Sequence, residues 1–205
     1  MNAKANLLTQ VCGRQSRTLR LVVLYFLFIV AADVVAARWL VPVLPWWGIV
    51  APAGVLFVGP VLTIRDQLHD LLGTRDVIFL ILEASLVSWM IGGLTNHGLL
   101  QAVSLASAIA FIASELLADT GVYAALAGRP WLVRVLLSNL VSAPVDSVLF
   151  IGLAFGTFID LPFWTGWQLM LGQSVAKVVL GAAWALGSLV VGRLFPARPW
   201  YRIIE

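Results

Sequence analysis

The chain has 205 residues, of which 61% are apolar and only 11% are charged. Soluble domains have about 25% charged residues, so this composition excludes a soluble globular protein. The net charge of +3 comes from Lys and Arg residues scattered at the ends of apolar segments rather than gathered in a patch, which argues against nucleic-acid binding. Cys12 is the single cysteine, so an intramolecular disulfide and Cys-x-x-Cys chemistry are excluded.

Apolar segments of membrane-spanning length occupy most of the chain. A helix needs about 20 mostly apolar residues to cross a bilayer, and the chain has room for six such segments with short connections. The predicted helices cover residues 19–37, 46–64, 77–94, 99–126, 131–158 and 163–192. The sequence therefore predicts an all-α integral membrane protein with a single six-helix transmembrane domain over residues 1–205, and no extramembrane domain.

The first three predicted helices differ in their polar content. Helix 1 is too long for the apolar region of a signal peptide, and Asp33 in its later half is an isolated carboxylate, like Glu83 in helix 3. Pro52 and Pro60 fall in the second segment, which we therefore expect to be kinked. The stretch 65–76 that follows is the most polar of the chain, and we interpret its Asp66 and His69 as loop charges.

The distribution of positive charges predicts the orientation. With six helices, eleven of the thirteen Lys and Arg residues lie on one side, whereas the other side holds only Arg38, and Lys177 lies inside helix 6. Positive charges favour the cytoplasmic side, so both termini are expected there. Tryptophans near the predicted segment ends are interpreted as interfacial anchors: Trp39, Trp46, Trp47, Trp131, Trp164, Trp167 and Trp200.

Polar residues in helices 5 and 6 are the strongest candidates for a site. Asn139, Ser142 and Asp146 have spacings of three and four, so they lie on one helix face, and Gln173 and Lys177 are four apart in helix 6. Asp146 and Lys177 fall at the midpoints of their helices. A structural ion pair would explain these two residues. A substrate cavity is the preferred interpretation, because a buried pair seldom exceeds apolar packing in stability and three further polar groups accompany it.

Glu115 and Asp119 in helix 4 form a second candidate pair. Like charges four residues apart repel each other unless a cation or a proton lies between them. The alternative is that both are solvated near the cytoplasmic end of the helix and pair with Arg129 or Arg134. The sequence does not favour either interpretation.

An enzyme is the less favoured class. Gly172, Gln173 and Ser174 match half of a Gly-x-Ser-Gly nucleophile motif, but a serine hydrolase needs a histidine at the same depth. His69 and His97 both fall in predicted loops. We therefore predict no catalytic residue, no metal site and no cofactor.

Four blocks of sequence resemble one known family. They are VLTIRDQLHDLLG at 61–73, SELLADTGVY at 114–123, RVLLSNLVSAPVDSVLFIGLAF at 134–155 and GQSVAKVV at 172–179. In order and spacing, the chain resembles the queuosine-precursor transporter family, also called the vitamin-uptake-transporter family. The positions that match the family pattern are Asp66, Asp119, Arg134, Ser138, Asp146 and Lys177. The chain departs from the pattern at Asp33, where Asn is frequent, at Asn139 and Ser147, where Thr is usual, and at Ala143 and Pro144, where polar residues are frequent.

The resemblance implies six helices with a fold similar to the substrate-binding components of vitamin importers. It also implies uptake of a 7-deazaguanine such as preQ0 or preQ1 across the bacterial inner membrane. Together with the helical spacing, it gives a set of candidate substrate-binding residues: Asp146, Asn139, Lys177, Gln173, Asp119, Ser142, Glu115, Asp66 and Arg134. The alternative function is a substrate-binding subunit of a multi-component vitamin importer with a different heterocyclic ligand.

The chemistry of such a ligand suits these side chains. A guanine-like edge presents two adjacent donors, which one carboxylate such as Asp146 accepts together. Asn139 or Gln173 can donate to the ring carbonyl, and Lys177 to a carbonyl or nitrile. Candidates for stacking on the ring are Trp89, Phe150, Phe155, Trp167 and Trp184. Expected partners besides this ligand are the lipid bilayer and either a second copy of the chain or an energising complex, for which Ala32 and Ala36 offer a small-residue face on helix 1.

Overall fold

The computed structural model describes residues 2–117, 122, 125–126, 128–157 and 163–194. Six α-helices form the body of the molecule: α1 Asn2–Ala36, α2 Val58–Leu72, α3 Thr74–Leu94, α4 Gly98–Leu117, α5 Trp131–Ile151 and α6 Phe163–Leu194. Strands β1 Leu40–Leu44 and β2 Ile49–Pro52 pair as an antiparallel hairpin between α1 and α2. The predicted all-α membrane fold is confirmed, with this hairpin as an addition.

The outer surface of the helices is apolar. Large side chains such as Leu27, Phe79 and Leu86 are half-exposed, as expected of groups that face lipid. Four helical stretches are long and apolar enough to cross a membrane, namely Thr18–Ala36, Arg75–Leu94, Leu132–Gly156 and Trp164–Gly187. Two apolar helices are shorter, Ala53–Leu62 and Gly98–Ser114. The chain is therefore a multi-pass membrane protein, and the count of six spans stays a prediction.

Two hydrophobic clusters hold the bundle together. The first joins α1, α2 and α3 through the buried residues Tyr25, Ile29, Val61, Leu68, Val77 and Ile81. The second joins the end of α1 to α4, α5 and α6 through Ala36, Leu100, Val103, Phe150, Ile151 and Leu169. Members of both clusters line one cavity, which therefore lies between them.

The second predicted helix, 46–64, is wrong in its first half. Trp46 and Trp47 lie in a 3-10 turn, β2 follows, and a second 3-10 turn at Ala53–Phe57 leads into α2. Gly48 has a φ of 65°, a left-handed conformation that favours glycine and ends the first turn. Prolines at both ends of the stretch and β-branched residues in the strands favour this hairpin over a continuous helix.

Other boundaries differ less. The polar stretch 65–76, predicted as a loop, is helical up to Leu72, and only Gly73, with a φ of 89°, separates α2 from α3. Helix 1 begins at Asn2 rather than at residue 19, and helix 5 continues as a π-helical segment, Gly152–Thr157. The last part of helix 4, 118–126, lies mostly outside the described residues.

The hairpin packs against α6. A β-carbon at Gly172 would lie 2.9 Å from the carbonyl carbon of Val50 and 3.0 Å from Cγ2 of Ile49, so only glycine permits this approach. At the base of the hairpin, the backbone N–H of Ala53 donates to the carbonyl of Trp39 at 2.8 Å. The hairpin is thereby held across one end of the bundle, next to the cavity.

Candidate functional site

All six helices contribute to one internal cavity of about 90 Å³, measured as the space open to the centre of a water molecule. A single buried water needs roughly 10–15 Å³ by this measure, so the cavity has room for about six to nine waters or one small organic molecule. The polar residues that line it are Asp33, Arg65, Ser107, Ser114, Asn139, Ser142, Asp146, Gln173 and Lys177. The remaining wall is apolar, which is typical of small-molecule sites.

An ion pair between α5 and α6 lies on the cavity wall. The ammonium group of Lys177 contacts Oδ2 of Asp146, and the two side chains are only 12% and 10% exposed. The ammonium group also lies 5.9 Å from the centre of the Phe150 ring. The midpoint depths expected from the sequence thus correspond to direct contact between the two charges.

Asn139 lies beside this pair on the same face of α5. It is buried, and its amide approaches α6 at Gly181, where a β-carbon would lie 3.2 Å from Nδ2 of Asn139. Ser142 lines the cavity between Asn139 and Asp146. Of the glycines along α6, Gly172 and Gly181 permit close approach of a neighbouring group, whereas Gly166 and Gly187 face open space.

Gln173 lies one turn before Lys177 and is buried. Its Oε1 has no hydrogen-bond partner among the described residues. A buried polar atom without a partner costs about 1–3 kcal/mol, which a ligand that donates a hydrogen bond would recover. The cavity therefore presents an acceptor to an incoming molecule.

Of the other predicted site residues, only Arg134 has a described side chain, and it is not in this group. Arg134 is half-buried on α5 and is not among the described residues that line the cavity. Asp66 and Glu115 lie in α2 and α4, but the positions of their side chains lie outside the described part. Asp119 lies outside the described residues altogether. Asp66, Glu115, Asp119 and Arg134 stay predictions.

Asp33 and Arg65 line the cavity although the sequence analysis did not place either among the site residues. Asp33 is 2% exposed, the lowest value for any charged side chain in the described part of the chain. The signal available in the sequence was the cost of a carboxylate inside an apolar helix. Its isolation along the chain concealed its neighbours, since they come from other helices.

The aromatic wall of the cavity also differs from the expectation. Of the five stacking candidates, only Phe150 lines the cavity. Phe155 is buried behind it, with the two ring centres 6.2 Å apart, whereas Trp89, Trp167 and Trp184 are about half-exposed on the outer surface. Phe57 and Phe111 line the cavity instead, and the guanidinium of Arg65 lies 6.0 Å from the centre of the Phe111 ring.

Tryptophans near segment ends are exposed, as interfacial anchors are expected to be. The side chain of Trp46, at the tip of the hairpin, is 91% exposed, and Trp39, Trp47, Trp164 and Trp167 are all more than half exposed. Trp131 lies in α5 with its side chain outside the described part, and Trp200 lies outside the described residues. The hairpin tip therefore carries exposed aromatic groups, as an interfacial anchor would.

Two residues considered for an enzymatic site have structural bonds. Nδ1 of His97 accepts a hydrogen bond from the backbone N–H of Leu100 at 3.3 Å, which caps the start of α4. The hydroxyl of Ser174 donates to the carbonyl of Met170 at 2.7 Å within α6. His69 lies in α2 with its side chain outside the described part.

The apolar exterior and the partly polar cavity define a multi-pass membrane protein with an internal space of the size and lining typical of small-molecule sites. The model of the family described as "Putative vitamin uptake transporter" matches residues 97–189, the range that holds α4, α5 and most of α6. This match confirms the resemblance to the vitamin-uptake-transporter family, and it includes Asn139, Asp146 and Lys177. No curated protein and no solved structure matches the chain.

Proposed function

We propose that the protein imports a queuosine precursor, a 7-deazaguanine such as preQ0 or preQ1, across the bacterial inner membrane, with both termini in the cytoplasm. The observation that carries this proposal is the arrangement of five polar residues around one small cavity: Asn139, Ser142, Asp146, Gln173 and Lys177. All five carry hydrogen-bond donors or acceptors of the kind that a purine-like edge requires.

The ion pair supports reversible binding of a neutral heterocycle. Asp146 and Lys177 neutralise each other, so this pair contributes no net charge to the cavity. When the ligand binds, the N–H donors of its guanine-like edge would replace the ammonium group as partners of the Asp146 carboxylate. The carbonyl or nitrile of the ligand would accept a hydrogen bond from Lys177. Because each contact that the ion pair loses is replaced by a contact with the ligand, the free energies of the bound and unbound states need not differ greatly. The ligand can therefore both enter and leave.

The remaining contacts favour a flat ligand with further donors. Oε1 of Gln173 can accept a hydrogen bond from the ligand, and the amide of Asn139 can donate one to a ligand carbonyl. Phe150 forms one wall of the cavity and can stack on a planar ring. A volume of about 90 Å³ suits a free base better than a nucleoside or a peptide.

The alternative function, a substrate-binding subunit that docks on an energising complex, was supported by the small-residue face on helix 1. Ala32 and Ala36 both line the cavity, and a β-carbon at Gly54 would lie 2.8 Å from Cβ of Ala36. The small-residue face on α1 is therefore used inside the chain. Purification with and without a co-purifying ATPase tests the remaining possibility of an energising complex.

Uptake in a strain that cannot synthesise the precursor tests the proposal. We expect Asp146→Asn and Lys177→Ala to abolish uptake while the protein is still inserted in the membrane. Ser174→Ala is the matched control, since this side chain lies on α6 near Lys177 but bonds its own helix. Near-normal uptake by both site variants would refute the proposal.

Binding to the purified protein identifies the ligand class. A thermal-shift screen against preQ0, preQ1, queuine, guanine and biotin is expected to show stabilisation by a 7-deazaguanine, because a ligand that binds only the folded state raises Tm. Stabilisation by biotin alone would replace the proposed substrate with another heterocycle.

A further inference from the structure

Asp33 is a buried carboxyl group with no counter-ion among the residues that the structure describes. It lies in the apolar stretch Thr18–Ala36 of α1 and is 2% exposed. Its Oδ2 has no hydrogen-bond partner, and the carboxyl forms no ion pair with any residue that the structure describes. A bare carboxylate in this position is strongly disfavoured, so its charge must be neutralised in another way.

Three serine hydroxyls from α3 and α4 surround this carboxyl group: Ser88, Ser104 and Ser107. A hydroxyl has one proton to donate and two lone pairs. Ser88 donates its proton to the carbonyl of Ala84 at 3.2 Å, and Ser104 donates to the carbonyl of Leu100 at 2.7 Å. With their protons donated in this way, these two hydroxyls keep lone pairs for a further partner. A cation held by the Asp33 carboxylate would therefore have oxygen ligands beside it.

The charged side chains that the structure describes on the packed elements do not fill this role. Arg65 of α2 and the Asp146–Lys177 pair line the same cavity, but none of them forms an ion pair with Asp33. Glu83 of α3 is exposed, and residues 98–114 of α4 include no charged side chain. Among the described residues, the polar side chains placed against Asp33 are therefore the three serines.

We propose that Asp33, Ser88, Ser104 and Ser107 form a binding site for one small monovalent cation, a proton or Na⁺, at the wall of the cavity. A proton would make the carboxyl neutral, and its O–H would donate to a serine oxygen. Na⁺ would take the carboxylate and hydroxyl oxygens, which are hard ligands suited to such an ion. Both sources neutralise the same buried charge.

The position of this site couples it to the cavity. Asp33 and Ser107 line the same space as Asp146 and Lys177, so occupation by a cation changes the charge next to the bound molecule. By linkage, a cation that favours ligand binding is itself bound more tightly when the ligand is present. The role of this cation as the driving ion of import rests on the proposed function, whereas its binding does not.

The test uses the purified full chain in detergent without substrate. Tm is measured in NaCl and in choline chloride at equal ionic strength, and infrared difference spectra report the carbonyl stretch of a protonated carboxylic acid. The variants are Asp33→Asn and Ser107→Ala, with Glu83→Gln as the control that removes an exposed carboxylate from a neighbouring helix.

If the site holds Na⁺, NaCl raises Tm of the wild type and of Glu83→Gln by about 5 °C or more at saturation, and Asp33→Asn loses the rise. If the site holds a proton, Tm does not depend on Na⁺, and the acid band is present in the wild type and absent only in Asp33→Asn. A wild type with neither response overturns the proposal.

The second variant covers a failure of Asp33→Asn to fold. Ser107→Ala is expected to reduce the rise in Tm with Na⁺ or to shift the acid band, and a response identical to that of the wild type would count against the site. The proposed function is tested separately. Should no 7-deazaguanine bind while the Na⁺ response or the acid band depends on Asp33, import of that substrate fails and the cation site stands.

Discussion

Lys177→Met removes the positive end of the buried ion pair and leaves the carboxylate of Asp146 alone on the cavity wall. Both side chains are about nine-tenths buried, so water replaces little of the lost contact. Loss of one member of a buried pair costs about 3–5 kcal/mol, because the remaining charge is uncompensated. The lost contact with the Phe150 ring, at 5.9 Å, adds about 1–2 kcal/mol, so the unpaired carboxylate dominates the effect.

The double variant Asp146→Leu with Lys177→Met separates stability from function. Apolar residues of similar volume often replace a buried pair with no loss of stability or with a gain of about 1–4 kcal/mol. We therefore expect the double variant to recover most of the stability that Lys177→Met loses. Uptake is expected to stay absent, because the hydrogen-bonding groups proposed to bind the substrate are gone.

Thermal melts of the detergent-solubilised protein and uptake in cells together measure both expectations. With about 2–4 °C per kcal/mol for a chain of this size, Lys177→Met should lower Tm by roughly 6–20 °C. Wild-type Tm in Lys177→Met would show that the pair is not buried in the folded protein. Normal uptake by the double variant would show that the pair serves only to hold α5 against α6.

Three further predictions concern packing. Gly172→Ala should lower Tm, because the added methyl group meets the hairpin backbone, whereas Gly187→Ala on the same helix has open space and should leave Tm unchanged or slightly raised. Gly181→Ala should weaken ligand affinity in thermal-shift titrations more than it lowers Tm, because it displaces the amide of Asn139; equal affinity would argue against a role for that amide. Trp39→Ala should lower Tm and leave ligand affinity nearly unchanged, since the half-exposed ring lies just beyond the end of α1. A loss of affinity at unchanged Tm would contradict the interpretation of Trp39 as an anchor.

The polar face of α5 could be predicted because it depends only on helical periodicity. Asn139, Ser142 and Asp146 follow one face of any regular helix, and the structure places all three at the cavity. The contact between Asp146 and Lys177 could also be anticipated, because both residues lie near the midpoints of their apolar segments and therefore at similar depths in the membrane. No such local rule applies to the aromatic wall, where Phe150 lines the cavity and Trp184 does not.

The hairpin shows a different limit. Residues 46–64 are apolar enough to resemble a membrane helix, and the prolines in the segment are also compatible with a kinked helix. Residues 49–52 form a strand instead, and the backbone of this strand packs against α6 at Gly172, where there is no side chain to prevent the approach of Val50. A contact between residues more than one hundred positions apart is not visible in local composition.

Composition and periodicity by themselves determined that this chain is a helical membrane protein with polar faces on its last two helices. They do so because the cost of burying charge in hydrocarbon and the 3.6-residue repeat act at each position independently of the rest of the fold. Only the tertiary structure decided which faces meet. It brought Asp33 of α1 to serines of α3 and α4 and closed a cavity between two hydrophobic clusters, since the partners of a buried carboxyl group are chosen by packing between distant segments.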